Sequence, residues 1–549
     1  MIAAFPLSPR LVAAPLWAVS AGRRALLEWG APLLEVRVGP RHPLPAPHLL
    51  RALAEAPDVR GIWLKVGRLV LDGGQATLHE SIEALMAARA AGRLVVAEFD
   101  FVGNAELLLA AACDRAWIRP GAQIFCVGLG TTMRFYGDLL GRFGARFDVE
   151  ACGEFKSFGE QFGRGFASGP NRDATRALVD DLAEEWLAAI VRCRPALTRE
   201  GVLDAVANAP LLAEDAVARG LFDGVRYPDE VEAEVTTLIG KEPRVVPFAA
   251  WHKSWARARR FSRFVAGYPA IPIVWLKGAV LDGQGTPGLS VIAADPVVAA
   301  LDLLREDDGV KAVVLRVASP GGSAPASDLI WRSVQRLVGT KPVVVSFGDV
   351  SASGGFYLSA GATEIVCHPA SITGSIGVIS GKPVLREAME RQGVHSEDIL
   401  TGPHADLFAE TAFSPGARAA MRVGLNATYR TFVERVAAGR KRSFEEIEPH
   451  ARGRVWSGRR AMAVGLLDHL GGLDVAQARA AALIGAERWR SWDITPLPKG
   501  GLLRRLARSF TVAAVPEIAA LLRVPEGARL LAEHPGEALA LWPFELEIR

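Results

Sequence analysis

One short stretch, "DVSASGGFYLSAG" at residues 349–361, sets a serine after an alanine and before two glycines. The segment ahead of it, "KPVVVSF", is rich in β-branched residues and reads as a buried strand; "GFYLSAGA" reads as the start of an apolar helix. Ser353 then sits at a strand-to-helix junction, its hydroxyl presented where helix N–H groups are unpaired and the dipole is positive. Gly354 and Gly355 let backbone come close to a substrate. A hydroxyl nucleophile with an N–H beside it suits acyl transfer, on the logic of a nucleophile elbow although GxSxG is absent. A second oxyanion donor is needed. "SPGG" at residues 319–322 ends the preceding strand, where open α/β sheets place their sites, so the N–H of Gly321 or Gly322 could face that of Gly354. Either motif alone is more often a plain turn or helix entry. Ser351 is a rival nucleophile, but it does not directly precede the double glycine. A triad would need Asp349 with His368 or His404, and no spacing supports one.

The elements that position these residues occur twice. "VRGIWLKVGRLVLDGG" (59–74) is matched by "VKAVVLRVASPGG" (310–322), and "RLVVAEFD" (93–100) by "KPVVVSFGD" (341–349). Pro120 and Pro369 are 249 residues apart, and so are Gly128 and Gly377. Strands alternating with long helical stretches predict parallel sheets with crossover helices, hence two tandem homologous α/β domains. The expected organisation is an N-terminal segment at 1–44, a first domain at 45–245, a linker at 246–269, a second domain at 270–490 and a tail at 491–549.

"RVASPGGSAPASDLI", "GDVSASGGFYLSAGA" and "ITGSIGV", in this order, resemble the signal peptide peptidase A (protease IV) family of serine–lysine peptidases, long tandem form. The resemblance covers roughly residues 45–490. It implies the ClpP/crotonase fold and makes Ser353 the nucleophile. It also implies a general-base lysine in a segment like "EACGEFKSFGEQF" (150–162), where Lys156 is the only lysine. Ser375, in "TGSIG", is implied to orient that amine. At the 249-residue offset Lys156 falls opposite Ala405, Ser353 opposite Asn104, and Ser375 opposite Cys126. One half keeps the lysine and the other the serine, which suggests a single composite site. An ordinary lysine is protonated at neutral pH, so Lys156 must be desolvated, with Phe155, Phe158 and Phe162 supplying the burial. Glu154 and Glu160 must then point to solvent. The resemblance further implies peptide substrates (signal peptides and unfolded segments), a homotetramer, and no metal or other cofactor. Two readings compete with a serine endopeptidase: a catalytically silent peptide-binding scaffold, and another acyl hydrolase on the crotonase fold.

Bulk properties fit a core-forming chain. Of 549 residues half are hydrophobic and 22% charged, and a net charge of +3 implies no nucleic-acid partner. Cys113, Cys126, Cys152, Cys193 and Cys367 are scattered and form no CxxC, which predicts neither a disulfide framework nor a zinc site. "LVAAPLWAVS" (11–20) is too short to span a bilayer; it reads as a signal or membrane-associated segment or as part of the fold. "LLRRLARSF" (502–510) is basic and amphipathic and could meet a membrane surface. Membrane association is the expected placement, with the cytoplasm as the alternative.

Overall fold

A computed structural model describes residues 31–70, 73–265, 267–285, 290–496 and 539–541. The apolar run 11–20 and the basic run 502–510 lie outside these residues. The chain divides into two compact units: residues 1–128 with 186–259, and residues 129–185 with 260–549.

In the first unit a parallel sheet runs in the order Gly224–Val225, Arg115–Ile118, Leu94–Phe99, Gly61–Val66, Leu33–Val38, Val245–Pro247. The central strands Gly61–Val66 and Leu94–Phe99 are apolar and buried at most positions on both faces, the pattern of strands covered on both sides. The second unit repeats this order. Its parallel strands run His469–Leu470, Glu364–Cys367, Val343–Ala352, Val313–Ser319, Ile273–Lys277, Asp493–Ile494. The expected α/β architecture with parallel sheets and crossover helices is thus present in both units.

Strand Val343–Ala352 changes neighbours along its length. Residues 344–347 pair with Glu364–Cys367, whereas 350–352 pair with Ile372–Gly374. This split opens the sheet just before Ser353. Helix Ala324–Val338 crosses over from Val313–Ser319; Ser323 caps it by accepting the Ala326 N–H at 3.2 Å, and Pro325 occupies its first turn. Ile330, Trp331, Val334 and Leu337 form the stripe it buries.

A further sheet in this unit orders Val291–Ala293, Ala279–Leu281, Gly321–Ser323, Leu539–Leu541, Val378–Val384 and Arg146–Cys152. The last two pair antiparallel over seven residues, from Val378 opposite Cys152 to Val384 opposite Arg146. Leu539–Leu541 lies antiparallel to Gly321–Ser323, with Ala540 opposite Gly322, and pairs with the other side through Leu539 opposite Ile379.

Two features differ from the expected organisation. Residues 129–185, which carry Lys156, pack with the second half of the sequence and not within a 45–245 domain. Strand pairing between Arg146–Cys152 and Val378–Val384 is the physical reason. The stretch 246–269, expected as a linker, forms helix Phe248–Val265. Its residues 248, 251, 252, 255 and 259 recur at helical spacing and turn one side inward.

Candidate active site

Ser353 directly follows strand Val343–Ala352 and is the N-cap of helix Gly354–Ser359. Its backbone sits at φ 54°, ψ −115°, a conformation that costs a non-glycine residue energy and persists only when its surroundings enforce it. They do so here. The Ser353 N–H donates to Gly374 O at 2.8 Å, and its carbonyl accepts from the Tyr357 N–H at 2.8 Å. A Cβ on Gly354 would stand 2.7 Å from Ser327 Oγ and 3.1 Å from Gly322 N; one on Gly355 would stand 2.9 Å from Ser319 Cβ. The double glycine is therefore needed to let this helix start pack against Gly321–Ser323. Gly322, at φ 151°, has no room for a side chain either, since its Cβ would overlap Val280 O.

Lys156 follows strand Arg146–Cys152 by one short turn. The Phe155 N–H donates to Arg452 O at 3.0 Å, the Gly453 N–H to Ile376 O at 2.7 Å, and the Ser375 N–H to Arg454 O at 2.7 Å. Loop 452–454 so clamps the lysine segment and the serine segment together. Glycine is required at the clamp: a Cβ on Gly453 would lie 2.6 Å from Lys156 Cβ, and one on Gly153 would overlap the backbone of Arg452.

The result is a direct contact. Lys156 Nζ lies 2.6 Å from Ser353 Oγ and donates to Ser375 Oγ at 3.0 Å and Ser375 O at 3.1 Å. Lys156 is 4% exposed, and Ser353 and Ser375 are fully buried. Burial alone drives the amine well below the usual lysine value. Phe158 and Phe162 are buried in a cluster with Ala279 and Ile379, while Phe155 is half-buried against Ala352, Ile372 and Val455. Glu154 is exposed and lies 3.7 Å from Arg452. Glu160 does not reach solvent freely as expected. It accepts from the Ser168 N–H at 3.0 Å and from Asn171 Nδ2 at 2.9 Å, which draws its charge to the start of helix Gly169–Cys193. Neither carboxylate stabilises the ammonium.

The other candidates take structural positions. Gly321's N–H donates to Ser319 Oγ at 3.2 Å, so of the two glycines it is Gly322 whose amide nitrogen faces Gly354. Ser351 Oγ donates to Val317 O at 2.5 Å. His368 Nδ1 accepts the Ala370 N–H at 3.1 Å, and His404 caps a short 3₁₀ turn. All five cysteines are free thiols.

Sequence reasoning missed a brace on strand Arg146–Cys152, the strand that leads into the lysine segment. Arg418, on helix Pro415–Arg440, donates from Nη2 to both Asp148 carboxylate oxygens at 2.7 and 2.8 Å and from Nη1 to Glu150; Arg422 Nε donates to Glu150 at 2.7 Å. These acids alternate along strand Arg146–Cys152, and that spacing was the available signal.

A buried serine hydroxyl and a desolvated lysine amine are thus in direct contact on a parallel α/β scaffold. The chain matches the model for Peptidase family S49 over residues 87–241 and 336–487, and it belongs to that family, in the class of serine peptidases. It is 31% identical to Protease 4 of Salmonella typhi over 463 residues, 80% of this chain and 72% of that one. It is 30% identical to the chloroplastic serine protease SPPA of Arabidopsis thaliana, over 77% of this chain and 63% of that one. Protease 4 of Haemophilus influenzae is 26% identical over 72% of this chain and 65% of that protein. The chain therefore spans about two thirds of the length of these relatives. Among solved structures, a mutant ClpP1 from Listeria monocytogenes aligns over 39% of this chain and 97% of that one, at TM-score 0.26 and 14% identity.

Proposed function

We propose that the protein is a serine endopeptidase in which Ser353 is the nucleophile and Lys156 the general base, cleaving extended apolar or unfolded peptides, signal peptides among them, through an acyl-enzyme. The observation that carries this reading is the 2.6 Å contact between a buried lysine amine and a buried serine hydroxyl.

The hydrogen-bond count sets the direction of proton flow. A neutral amine has two N–H bonds and one lone pair. Ser375 O can only accept, and Ser375 Oγ is placed to accept as well; together they engage both N–H bonds. The lone pair then faces Ser353 Oγ. Lys156 takes the hydroxyl proton as the oxygen attacks the peptide carbonyl, and returns it to the leaving amine as the acyl-enzyme forms. A water, deprotonated by the same amine, hydrolyses the ester. The N–H groups of Gly354 and Gly322 are the proposed oxyanion donors, and Gly321 serves as the turn that presents Gly322. No step calls for a metal.

Support for an extended substrate comes from Leu539–Leu541. This segment lies as a strand between Gly321–Ser323 and Val378–Val384, on the edge that carries the proposed oxyanion glycine. A peptide adding a strand there would bind by main-chain bonds along its length, with alternate side chains sampling the pocket. Placement at a membrane, where cleaved signal peptides reside, is part of this proposal; no described helix is long and apolar enough to cross one.

The test is labelling with a fluorophosphonate, followed by peptide mapping. Modification of Ser353, lost in Ser353→Ala and in Lys156→Ala but kept in Ser351→Ala, is the expected result. Labelling that persists in Ser353→Ala overturns the assignment. A chain ending at residue 535 should hydrolyse peptides faster than the full chain, because it lacks the strand that competes for the groove.

A further inference from the structure

Helix Phe248–Val265, "FAAWHKSWARARRFSRFV", carries Lys253, Arg257, Arg259, Arg260 and Arg263 and no acidic residue. Its two sides differ. On one, Phe248 is buried, and His252, Trp251 and Trp255 stack at centroid distances of 5.7 Å for Phe248–His252 and 5.7 Å for Trp251–Trp255. Arg259 lies over the Trp255 ring at 4.8 Å and pairs with Glu55, so it belongs to this inward side.

The opposite side is different in kind. At 100° per residue, positions 253, 257, 260, 261 and 264 fall within one arc of about 100°. Lys253, Arg257 and Arg260 are exposed there. Between them stand two phenyl rings, Phe261 at 57% and Phe264 at 67% exposure. Arg490 flanks the second ring at 5.6 Å, adding a further cation at its edge. An ordinary solvated helix face mixes charges of both signs and keeps large aromatic rings inside. This one is purely cationic and displays two.

We infer that this face is a peripheral membrane-docking surface for anionic phospholipid, with Phe261 and Phe264 entering the headgroup–acyl boundary and Lys253, Arg257 and Arg260 meeting lipid phosphates. Charge complementarity selects the occupant. A uniformly basic helix face with aromatic residues is suited to an anionic bilayer, whose surface potential attracts each cation separately and needs no fixed pattern of partners. The inference is independent of the Ser353–Lys156 reading, since none of these side chains belongs to that site.

The test is flotation of the full chain with vesicles of phosphatidylcholine alone and of phosphatidylcholine mixed with phosphatidylglycerol, at low and high salt. The full chain should float with the mixed vesicles only, and less in high salt. Each arginine near the surface contributes about fivefold in affinity, so Arg257→Gln with Arg260→Gln should lower binding roughly 25-fold. Phe261→Ser with Phe264→Ser should abolish flotation while the salt-sensitive attraction stays detectable by surface plasmon resonance on the same lipid. Both pairs are solvent-facing, and hydrolysis of a soluble peptide should be unchanged in each, which also reports that the fold is intact. Absence of flotation, equal flotation on both lipids, or indifference to both variant pairs overturns the inference. A change in oligomer mass with no change in flotation would assign the face to a second copy of the chain and overturn it as well.

Discussion

The two parallel sheets share one strand order, yet they treat the same junction in opposite ways. In the unit with residues 260–549, strand Val343–Ala352 hands over to helix Gly354–Ser359 through a strained serine with an amine against it. In the other unit, strand Leu94–Phe99 is followed by helix Asn104–Ala111, and the junction is wired shut. Asn104 donates from Nδ2 to Gly128 O at 2.8 Å and accepts the Gly128 N–H on Oδ1 at 3.1 Å. The buried Glu106 carboxylate accepts the Gly103 N–H at 2.9 Å and the Leu69 N–H at 2.6 Å. This unit meets N–H donors at its helix start with its own carboxylate. The other unit places a strained serine, a buried amine and glycines there, and stability is given up for strain and desolvation.

That contrast can be broken most severely at the dyad. Ser353→Ala and Lys156→Ala should each lower kcat by about 10,000-fold in a peptide hydrolysis assay, whereas Asn104→Ala should leave kcat within about twofold. The pH profile is next in size. The amine must be neutral to act, and its value in the folded protein is lowered, so the rate should rise with pH through that lowered value and level off well before an ordinary lysine would deprotonate. Lys156→Arg should be inactive at every accessible pH, because a guanidinium stays charged. A profile rising only in the range of an exposed lysine would remove the desolvated base.

Stability offers a sharper version of the same comparison. Between the lowered folded value of Lys156 and its unfolded value, the unfolded chain binds a proton that the folded chain does not, so this residue makes stability increase with pH across that window. Lys156→Met should therefore unfold at a higher temperature than the native protein at neutral pH, by about 2–4 °C for each kcal/mol relieved. In the unit that carries Asn104 the sign should reverse: Asn104→Ala should cost about 1–3 kcal/mol by leaving Gly128 unpaired. The smallest effect is expected at Ser375. Ser375→Ala leaves the amine one N–H partner, the Ser375 carbonyl, and should lower kcat about tenfold with KM little changed, as measured by steady-state kinetics.

Local chemistry was legible in the sequence and long-range packing was not. The strand–serine–glycine–helix order at 343–359 follows from β-branched runs and from helix-start chemistry, both short-range properties. Lys156 was reachable only through a resemblance and the 249-residue offset. Its true support, loop 452–454 with Gly453 against its Cβ, lies about 300 residues away and leaves no local trace. The surroundings of Glu160 are unreadable in sequence for the same reason, since Ser168 and Asn171 become its neighbours only when helix Gly169–Cys193 forms. The stretch 246–269, expected as a linker, carries its helix through aromatic residues at helical spacing, Phe248, Trp251, His252 and Trp255, set among basic ones.

The glycine clamp at 453 has a consequence for biosynthesis. Lys156 emerges from the ribosome early, Ser353 some 197 residues later, and the loop that presses them together a further hundred or so after that. A nascent chain thus carries each chemical half separately and inert. The contact of amine and hydroxyl in this clamp can form only once residue 454 has been made, so no shorter nascent chain holds the pair as the folded protein does.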